Sequence, residues 1–161
     1  MDDLFLRQRA LDLCGEGYRH HMERDLRQAI ELYTKSIDVY PTAEAYTFRG
    51  WAYQFLGRID DAIAECHKAI ATDASFGNPY NDIGAYLIAK GELDESVPWL
   101  EKAKRAPRYE PRHFPYMNLA RVYAAKGMVR QAIQELEEAI RIAPGDPRSV
   151  EMIAGLRAML N

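Results

Sequence analysis

The stretch Tyr46-Thr47-Phe48-Arg49-Gly50-Trp51-Ala52-Tyr53, followed by Leu56-Gly57 and then Asp61-Ala62-Ile63, decides the fold. An aromatic residue opens it and a glycine follows four places later. A Leu-Gly pair then interrupts it, and a small alanine sits early in a second run. Two helices that stop at a glycine and meet through small side chains carry this pattern. The same columns recur outward along the chain. With Ala29, Ala62, Ser96 and Ala132 as anchors, Gly17, Gly50, Gly84 or Ala120 lies twelve residues before. Sixteen before lies Leu13, Tyr46, Tyr80 or Tyr116, and seven after lies Ser36, Ala69, Ala103 or Ala139. Twelve after stands Pro41, Ala74, Arg108 or Pro144, with Pro107 one place early in the third unit. The anchors are separated by 33, 34 and 36 residues. A period of this size marks a stacked repeat architecture.

The columns resemble the tetratricopeptide repeat family, whose unit of about 34 residues runs aromatic, Leu-Gly, Tyr, then Ala, aromatic and Pro. The second unit matches best. The fourth follows with Tyr116, Leu119-Ala120, Tyr123, Gly127, Ala132-Ile133, Leu136, Ala139 and Pro144. The first unit departs most, with Glu16 and His20 at normally apolar or aromatic columns and Arg24 where the mid-unit glycine belongs. An end repeat has no neighbour on one side, so such drift is expected there. The resemblance covers roughly residues 10 to 144. It implies an all-α, right-handed superhelix (a solenoid) of four antiparallel helix hairpins plus a C-terminal capping helix. One domain then spans 1–161, with repeats about 10–42, 43–76, 77–110 and 113–146 and the capping helix about 147–160.

Local signals give the elements. Helices are expected near 3–21, 25–38, 43–56, 59–72, 77–90, 93–105, 112–126, 129–142 and 147–160. Gly57, Gly91 and Gly127 sit where each first helix stops, and glycine tolerates the left-handed conformation there. Gly50 with Ala62, and Gly84 with Ser96, would supply the close approach within a hairpin. Pro98 removes one early hydrogen bond, so a late start or slight kink is expected in its helix. Met152, Leu156 and Met159 form one apolar stripe that would cover the last hairpin. Arg148, Glu151 and Arg157 would face water.

Composition bounds the function. The 161 residues are 48% apolar, enough for a packed core. Lys plus Arg total 21 against Asp plus Glu 24, a balance that does not favour a nucleic-acid partner. No stretch approaches the roughly 18 apolar residues of a membrane helix. The N-terminal residues lack a basic start and a long apolar run, so no secretory signal is expected. Cys14 and Cys66 are too few for a disulfide scaffold, which fits a cytoplasmic protein with reduced thiols. His20, His21, His67, His113 and the Cys66-His67 pair lack metal-site spacing. No phosphate-binding glycine loop or Gly-x-Ser-x-Gly occurs. Glu135, Glu137 and Glu138 with Arg130 and Arg141 read as a solvated, salt-bridged helix face. Neither an enzyme nor a cofactor is expected.

The resemblance places a binding groove on the inner side, lined by the first helices. At the matching positions stand Tyr18, Phe48, Trp51 and Phe55 toward the N-terminal half, and Asn78, Asn81, Asp82, Asn118 and Arg121 toward the C-terminal half. Rings there would take apolar anchors, and the asparagines would donate to and accept from a peptide backbone. The alternative is that the rings pack between repeats and the asparagines are ordinary surface polarity. Co-chaperone repeats that grip an acidic C-terminal tail use Lys, Asn and Arg at set positions. Here those positions hold Cys14, Tyr18, Phe48, Asn78 and Asp82. One unit later they hold Thr47, Trp51, Asp82, Phe114 and Asn118, so neither frame supplies the cations. Lys102, Lys104, Arg105, Arg108, Arg112 and His113 crowd the insertion around Pro107 and Pro111. They either complement a helix C-terminus or form a basic docking spot. The expected function is an adaptor or scaffold for a protein or peptide partner. A chaperone of the type III secretion kind and a self-assembling structural protein, hence a homo-oligomer, are the alternatives.

Overall fold

The computed structural model describes residues 2–161, and the helices among them number nine. They are α1 (Asp3–Met22), α2 (Leu26–Val39), α3 (Ala43–Phe55), α4 (Ile59–Thr72), α5 (Asn78–Ala89), α6 (Leu93–Arg105), α7 (Phe114–Ala125), α8 (Val129–Ile142) and α9 (Pro147–Ala158). The pairs α1/α2, α3/α4, α5/α6 and α7/α8 are hairpins. Each second helix packs on the next first helix, and α9 closes the stack against α8. First helices also touch one another, α1 with α3, α3 with α5 and α5 with α7, which sets them on the inner side of a solenoid.

The turns are built by local chemistry. Gly57, Gly91 and Gly127 take φ of 77°, 79° and 74° at the three later hairpin turns. Arg24 takes φ of 65° at the first, where a Cβ is strained. Helix starts are fixed by Asp25, Thr42 and Asp146, whose side chains accept from the amides of Gln28, Ala45 and Arg148. α6 begins at Leu93, in register with the other second helices, so the late start expected from Pro98 does not occur. Only one amide is missing, and the helix runs on through Arg105.

Close approach within the hairpins rests on the small columns. A Cβ on Gly50 would stand 3.0 Å from the Ala62 carbonyl oxygen, and one on Gly17 would stand 2.8 Å from the Tyr33 ring. In the third hairpin the atoms nearest to Gly84 belong to the buried Leu100, and a Cβ there would fall on its isobutyl group. Ser96 is buried too, but its hydroxyl donates to the Leu93 carbonyl of its own helix. The aromatic column behaves as the spacing implies. Tyr46 packs on Ala43, Ala69 and Phe76, and Tyr80 packs on Ala103, Ala106 and Tyr109.

Polar contacts tie neighbouring units together. Arg49 on α3 grips the buried Glu65 of α4 with two hydrogen bonds of 2.8 and 3.1 Å, and also donates to Thr34 of α2. Lys104 on α6 pairs with Glu135 of α8 at 2.9 Å, both mostly buried. Glu135 therefore joins two hairpins and is not part of a solvated face, whereas Glu138 with Arg141 and Glu137 with Arg157 are exposed pairs. The capping stripe is centred on buried Ile153 and Ser149, flanked by Met152 and Leu156. Met159 lies past the helix end and is exposed. Arg148, Glu151 and Arg157 face solvent.

The insertion between α6 and α7 folds back on the α4–α5 turn. The Arg108 amide donates to the Ser75 carbonyl at 3.0 Å, and the Gly77 amide donates to the Arg108 carbonyl at 2.9 Å. The Arg108 guanidinium lies over the Phe76 ring and pairs with Glu44 and Asp73 at 2.7 and 2.8 Å. Gly77 makes room for buried Tyr109, since a Cβ there would stand 2.5 Å from the tyrosine Cβ.

Two substitutions test this packing by urea denaturation. Gly84→Ala overpacks against Leu100 and should destabilise by about 1–3 kcal/mol. Arg24→Gly relieves the left-handed strain and should stabilise by about 1 kcal/mol.

Candidate functional site

The inner face carries two adjoining hollows. The first, about 530 Å³, lies between α1, α3, α5 and the insertion, among Cys14, Tyr18, Phe48, Trp51, Pro111 and Phe114. The second, about 220 Å³, continues from it over Thr47, Asn78, Asn81, Asp82 and Tyr109. Phe48, Trp51, Asn78, Pro111 and Phe114 border both. The helical period sets this arrangement. Phe48 and Trp51 are three apart on α3, and Asn78, Asn81 and Asp82 fall three and four apart on α5, so each set shares a face.

The rings form a connected wall. Tyr18 lies 5.5 Å from Phe48 and 6.4 Å from Trp51 between centroids, and Trp51 lies 4.4 Å from the His21 ring at a tilt of 38°. His21 is buried, and its Nδ1 lies 3.2 Å from the Tyr33 hydroxyl. Burial holds its imidazole below the usual range, so it supports Trp51 as a neutral ring.

Phe55 extends this wall at its outer end, with its ring centroid 5.7 Å from Trp51 and 5.5 Å from His21. It is 58% exposed and borders a separate hollow of about 340 Å³ with His21, Met22, Arg24 and Leu26. Asn118 and Arg121 border neither hollow on the inner face but are joined to it. Asn118 Nδ2 donates to Asn81 Oδ1 at 3.0 Å, and Arg121 donates to Asn118 Oδ1 at 3.0 Å. Two of the asparagine acceptors expected to meet a peptide backbone are thus engaged, that of Asn81 by Asn118 and that of Asn118 by Arg121.

Asn78 is held differently. Its Nδ2 donates to the Glu110 carbonyl of the insertion at 3.2 Å, which fixes the amide orientation. Its Oδ1 is buried without a donor among the described residues.

Asp82 is the electrostatic feature of the site. Burial pushes its carboxyl up to about 7, with the Asn81 amide pulling weakly the other way. Among the described residues no cation stands within ion-pair distance of it, and neither hollow has a Lys or Arg in its lining. The cations of the insertion are engaged elsewhere. Arg108 pairs with Glu44 and Asp73, Lys104 with Glu101 and Glu135, and Lys102 lies over the Trp99 ring. Arg112 donates to the Pro107 carbonyl, and His113 meets Asp146 at 2.8 Å. Of the crowded basic residues, Lys102 and Arg105 have no ion-pair or hydrogen-bond partner among the described residues. The insertion therefore shapes the groove with Tyr109 and Pro111, and its charges mostly hold the fold.

Cys14 borders the larger hollow and is held as the thiol. Burial pushes its thiol up to about 12, and that of Cys66 well above the usual range.

Sequence reasoning missed Tyr109, Pro111 and the engagement of Asn81 by Asn118. The two extra residues near Pro107 marked an insertion, but spacing carries no sign of the direction in which it folds. The Asn81–Asn118 pair was legible in principle, since both fall at inner-facing columns of adjacent units.

Comparison with known proteins assigns the class. The family model described as tetratricopeptide repeat matches residues 43–76 and 115–146. The small glutamine-rich tetratricopeptide repeat-containing protein 2 of Mycosarcoma maydis is 32% identical over 95 residues, covering 58% of this chain and 27% of that protein. Heat shock protein STI1 of Saccharomyces cerevisiae is 33% identical over 90 residues, 55% of this chain and 15% of its own length. Among solved structures, the Pseudomonas aeruginosa pilF protein superposes with a TM-score of 0.85 at 23% identity, covering 93% of this chain and 68% of that one. The first repeat domain of Spaghetti (RPAP3), bound to the HSP90 peptide SRMEEVD, gives a TM-score of 0.65 at 26% identity, covering 74% of this chain and 94% of that one. The chain is a tetratricopeptide repeat protein, as the repeat columns imply. It spans about a quarter of the length of the first curated relatives it matches.

Asp82 predicts a pH signature. A carboxyl with a raised folded-state value binds its proton more tightly folded than unfolded, so stability falls as pH rises from about 4 to 7 and then levels. Asp73 and Asp146, held down at about 2 by Ser75 and Arg108 and by Arg148 respectively, act in the opposite sense at lower pH. Asp82→Asn removes only the first contribution. Its stability relative to wild type should rise by on the order of 2 kcal/mol between pH 4 and 7, read from urea midpoints.

Proposed function

We propose that this protein is an adaptor that holds a segment of a partner protein along its inner groove. The observation that supports this most directly is the continuous hollow bordered by the first helices of all four repeats, with Tyr18, Phe48, Trp51 and Phe114 as exposed or half-buried rings. Large rigid rings on a concave surface are the usual anchors of protein contacts. The site residues in this reading are Tyr18, Phe48, Trp51, Asn78, Asn81 and Asp82. Phe55 serves a secondary apolar hollow, and Asn118 and Arg121 brace Asn81. No helix among the described residues is long and apolar enough to cross a membrane. The free, buried thiols of Cys14 and Cys66 fit a reducing compartment such as the cytoplasm.

The partner is not an acidic chaperone tail in this reading. RPAP3 binds the HSP90 peptide SRMEEVD, which carries two Glu and one Asp. The groove here sets Asp82 at a position where a cation would be needed, and its lining holds no Lys or Arg. Like charge at close range without a compensating cation opposes such a ligand.

Two measurements check the proposal. Affinity capture from cell extract should recover proteins with wild type that a Tyr18→Ala, Trp51→Ala variant loses while keeping its helical circular dichroism and melting cooperatively. Equal recovery with a folded variant would remove the groove from the function. In fluorescence polarisation, SRMEEVD should bind more weakly than about 100 μM. Micromolar binding, abolished at these groove positions, would contradict the charge reading.

A further inference from the structure

We infer that the 220 Å³ hollow over Asp82 is a receptor for one basic side chain, Lys or Arg, projecting from the partner segment. The inference rests on the groove reading above and specifies its chemistry.

Size comes first. The hollow is smaller than the roughly 300–1,000 Å³ of small-molecule and cofactor sites, and suits a single side chain. Its walls are Phe48, Trp51, Phe114 and Tyr109. Aromatic faces attract a cation through their quadrupole. They also accept the methylene stem of Lys or Arg, which is apolar up to its head group.

The polar groups are of one kind. Asp82 offers carboxylate oxygens, and Asn78 has a buried Oδ1 that no described residue donates to. The Asn78 amide cannot turn without losing its bond to the Glu110 carbonyl, so an acceptor remains on this residue. Thr47 is already committed, its hydroxyl donating to the Ala43 carbonyl at 2.7 Å, and Asn81 Oδ1 is taken by Asn118. What the hollow lacks is a donor with positive charge.

The fold itself does not supply one. Arg108, the cation of the insertion nearest in sequence to Tyr109, is bound by Glu44 and Asp73, and Arg121 is bound to Asn118. The titratable groups that feel the Asp82 charge are acids: Cys66 from α4, Tyr86 from α5 and Tyr109 from the insertion. All three are pushed upward by burial, so they stay neutral near neutral pH. An acidic guest would meet repulsion. An apolar guest would cover Asp82 without a cation and leave the Asn78 oxygen unpartnered, which is costly. A Lys or Arg head group satisfies both, and its arrival favours the ionised form of Asp82.

The test uses the full ¹⁵N-labelled chain and three capped amino acids: Nα-acetyl-lysine, Nα-acetyl-arginine and Nα-acetyl-norleucine N-methylamides. The chain has two tryptophans, so the Trp51 indole reports on the hollow and the Trp99 indole serves as a remote control. The lysine and arginine probes should shift Trp51 saturably in the millimolar range and leave Trp99 unmoved. Norleucine, which has the stem without the charge, should bind at least about tenfold more weakly. Asp82→Asn should abolish that preference, and Phe114→Leu, which keeps volume but removes a ring, should reduce it. Lowering pH from about 8 to 5 should weaken the lysine probe and spare norleucine, because Asp82 takes up its proton.

Equal shifts by lysine and norleucine would overturn the basic-side-chain site while leaving an apolar groove intact. Retention of the preference in Asp82→Asn, or no shift of Trp51 by any probe, would overturn it as well. Failure of the groove itself is read separately, from equal partner recovery by the Tyr18→Ala, Trp51→Ala variant.

Discussion

Everything in this molecule depends on how closely two helices of a hairpin can approach. At Gly17, Gly50 and Gly84 the facing helix comes so near that a single added methyl group would strike Tyr33, the Ala62 carbonyl or Leu100. That contact sets the spacing within a unit. The aromatic and aliphatic columns then fill the wider space between units, as with Tyr46 on Phe76 and Tyr80 on Tyr109. Close packing of this kind is unforgiving of volume changes. Because each hairpin has the same narrow waist, hairpins stack with the same hand, and the first helices fall together on one side. The groove is a consequence of that repetition.

The repeat columns made most of the fold legible. Small residues at the anchor, glycine at the turn and aromatic residues sixteen places before each encode distances that hardly depend on the rest of the chain. For that reason the nine expected helices match the observed ones to within a residue or two at most ends. Errors arose where a residue's partner came from elsewhere. Gly84 comes nearest to Leu100, one turn along the facing helix from Ser96. Glu135 is drawn inward by Lys104 of the previous hairpin. Ile153, not Met159, anchors the capping helix, because the helix ends at Ala158 before Met159 can return to the buried stripe.

The site was less legible than the fold for a related reason. Columns say which side chains start on the inner side of a helix, and Tyr18, Phe48, Trp51, Asn78, Asn81 and Asp82 do border adjoining hollows. They say nothing about a segment outside the period. The insertion around Arg108 departs from the repeat, crosses to the α4–α5 turn and places Tyr109 and Pro111 at the groove. It turns an open trough into a walled hollow and uses the Arg108 charge to hold itself in place. The polar half of the groove is likewise not a row of free amides. Asn81, Asn118 and Arg121 form a chain of hydrogen bonds, which leaves Asp82 without a cation and one oxygen of Asn78 without a donor among the described residues.

The central claim is that a partner lies on the inner face and nowhere else. Site-specific photocrosslinking tests it most directly, with a photoreactive residue placed in turn at Tyr18 and Asn78 on the inner helices and at Lys35 and Gln134 on the outer ones. Crosslinks to a partner protein from Tyr18 and Asn78, with none from Lys35 and Gln134, are the expected result. Crosslinks to that partner confined to the outer positions would contradict an inner-face site.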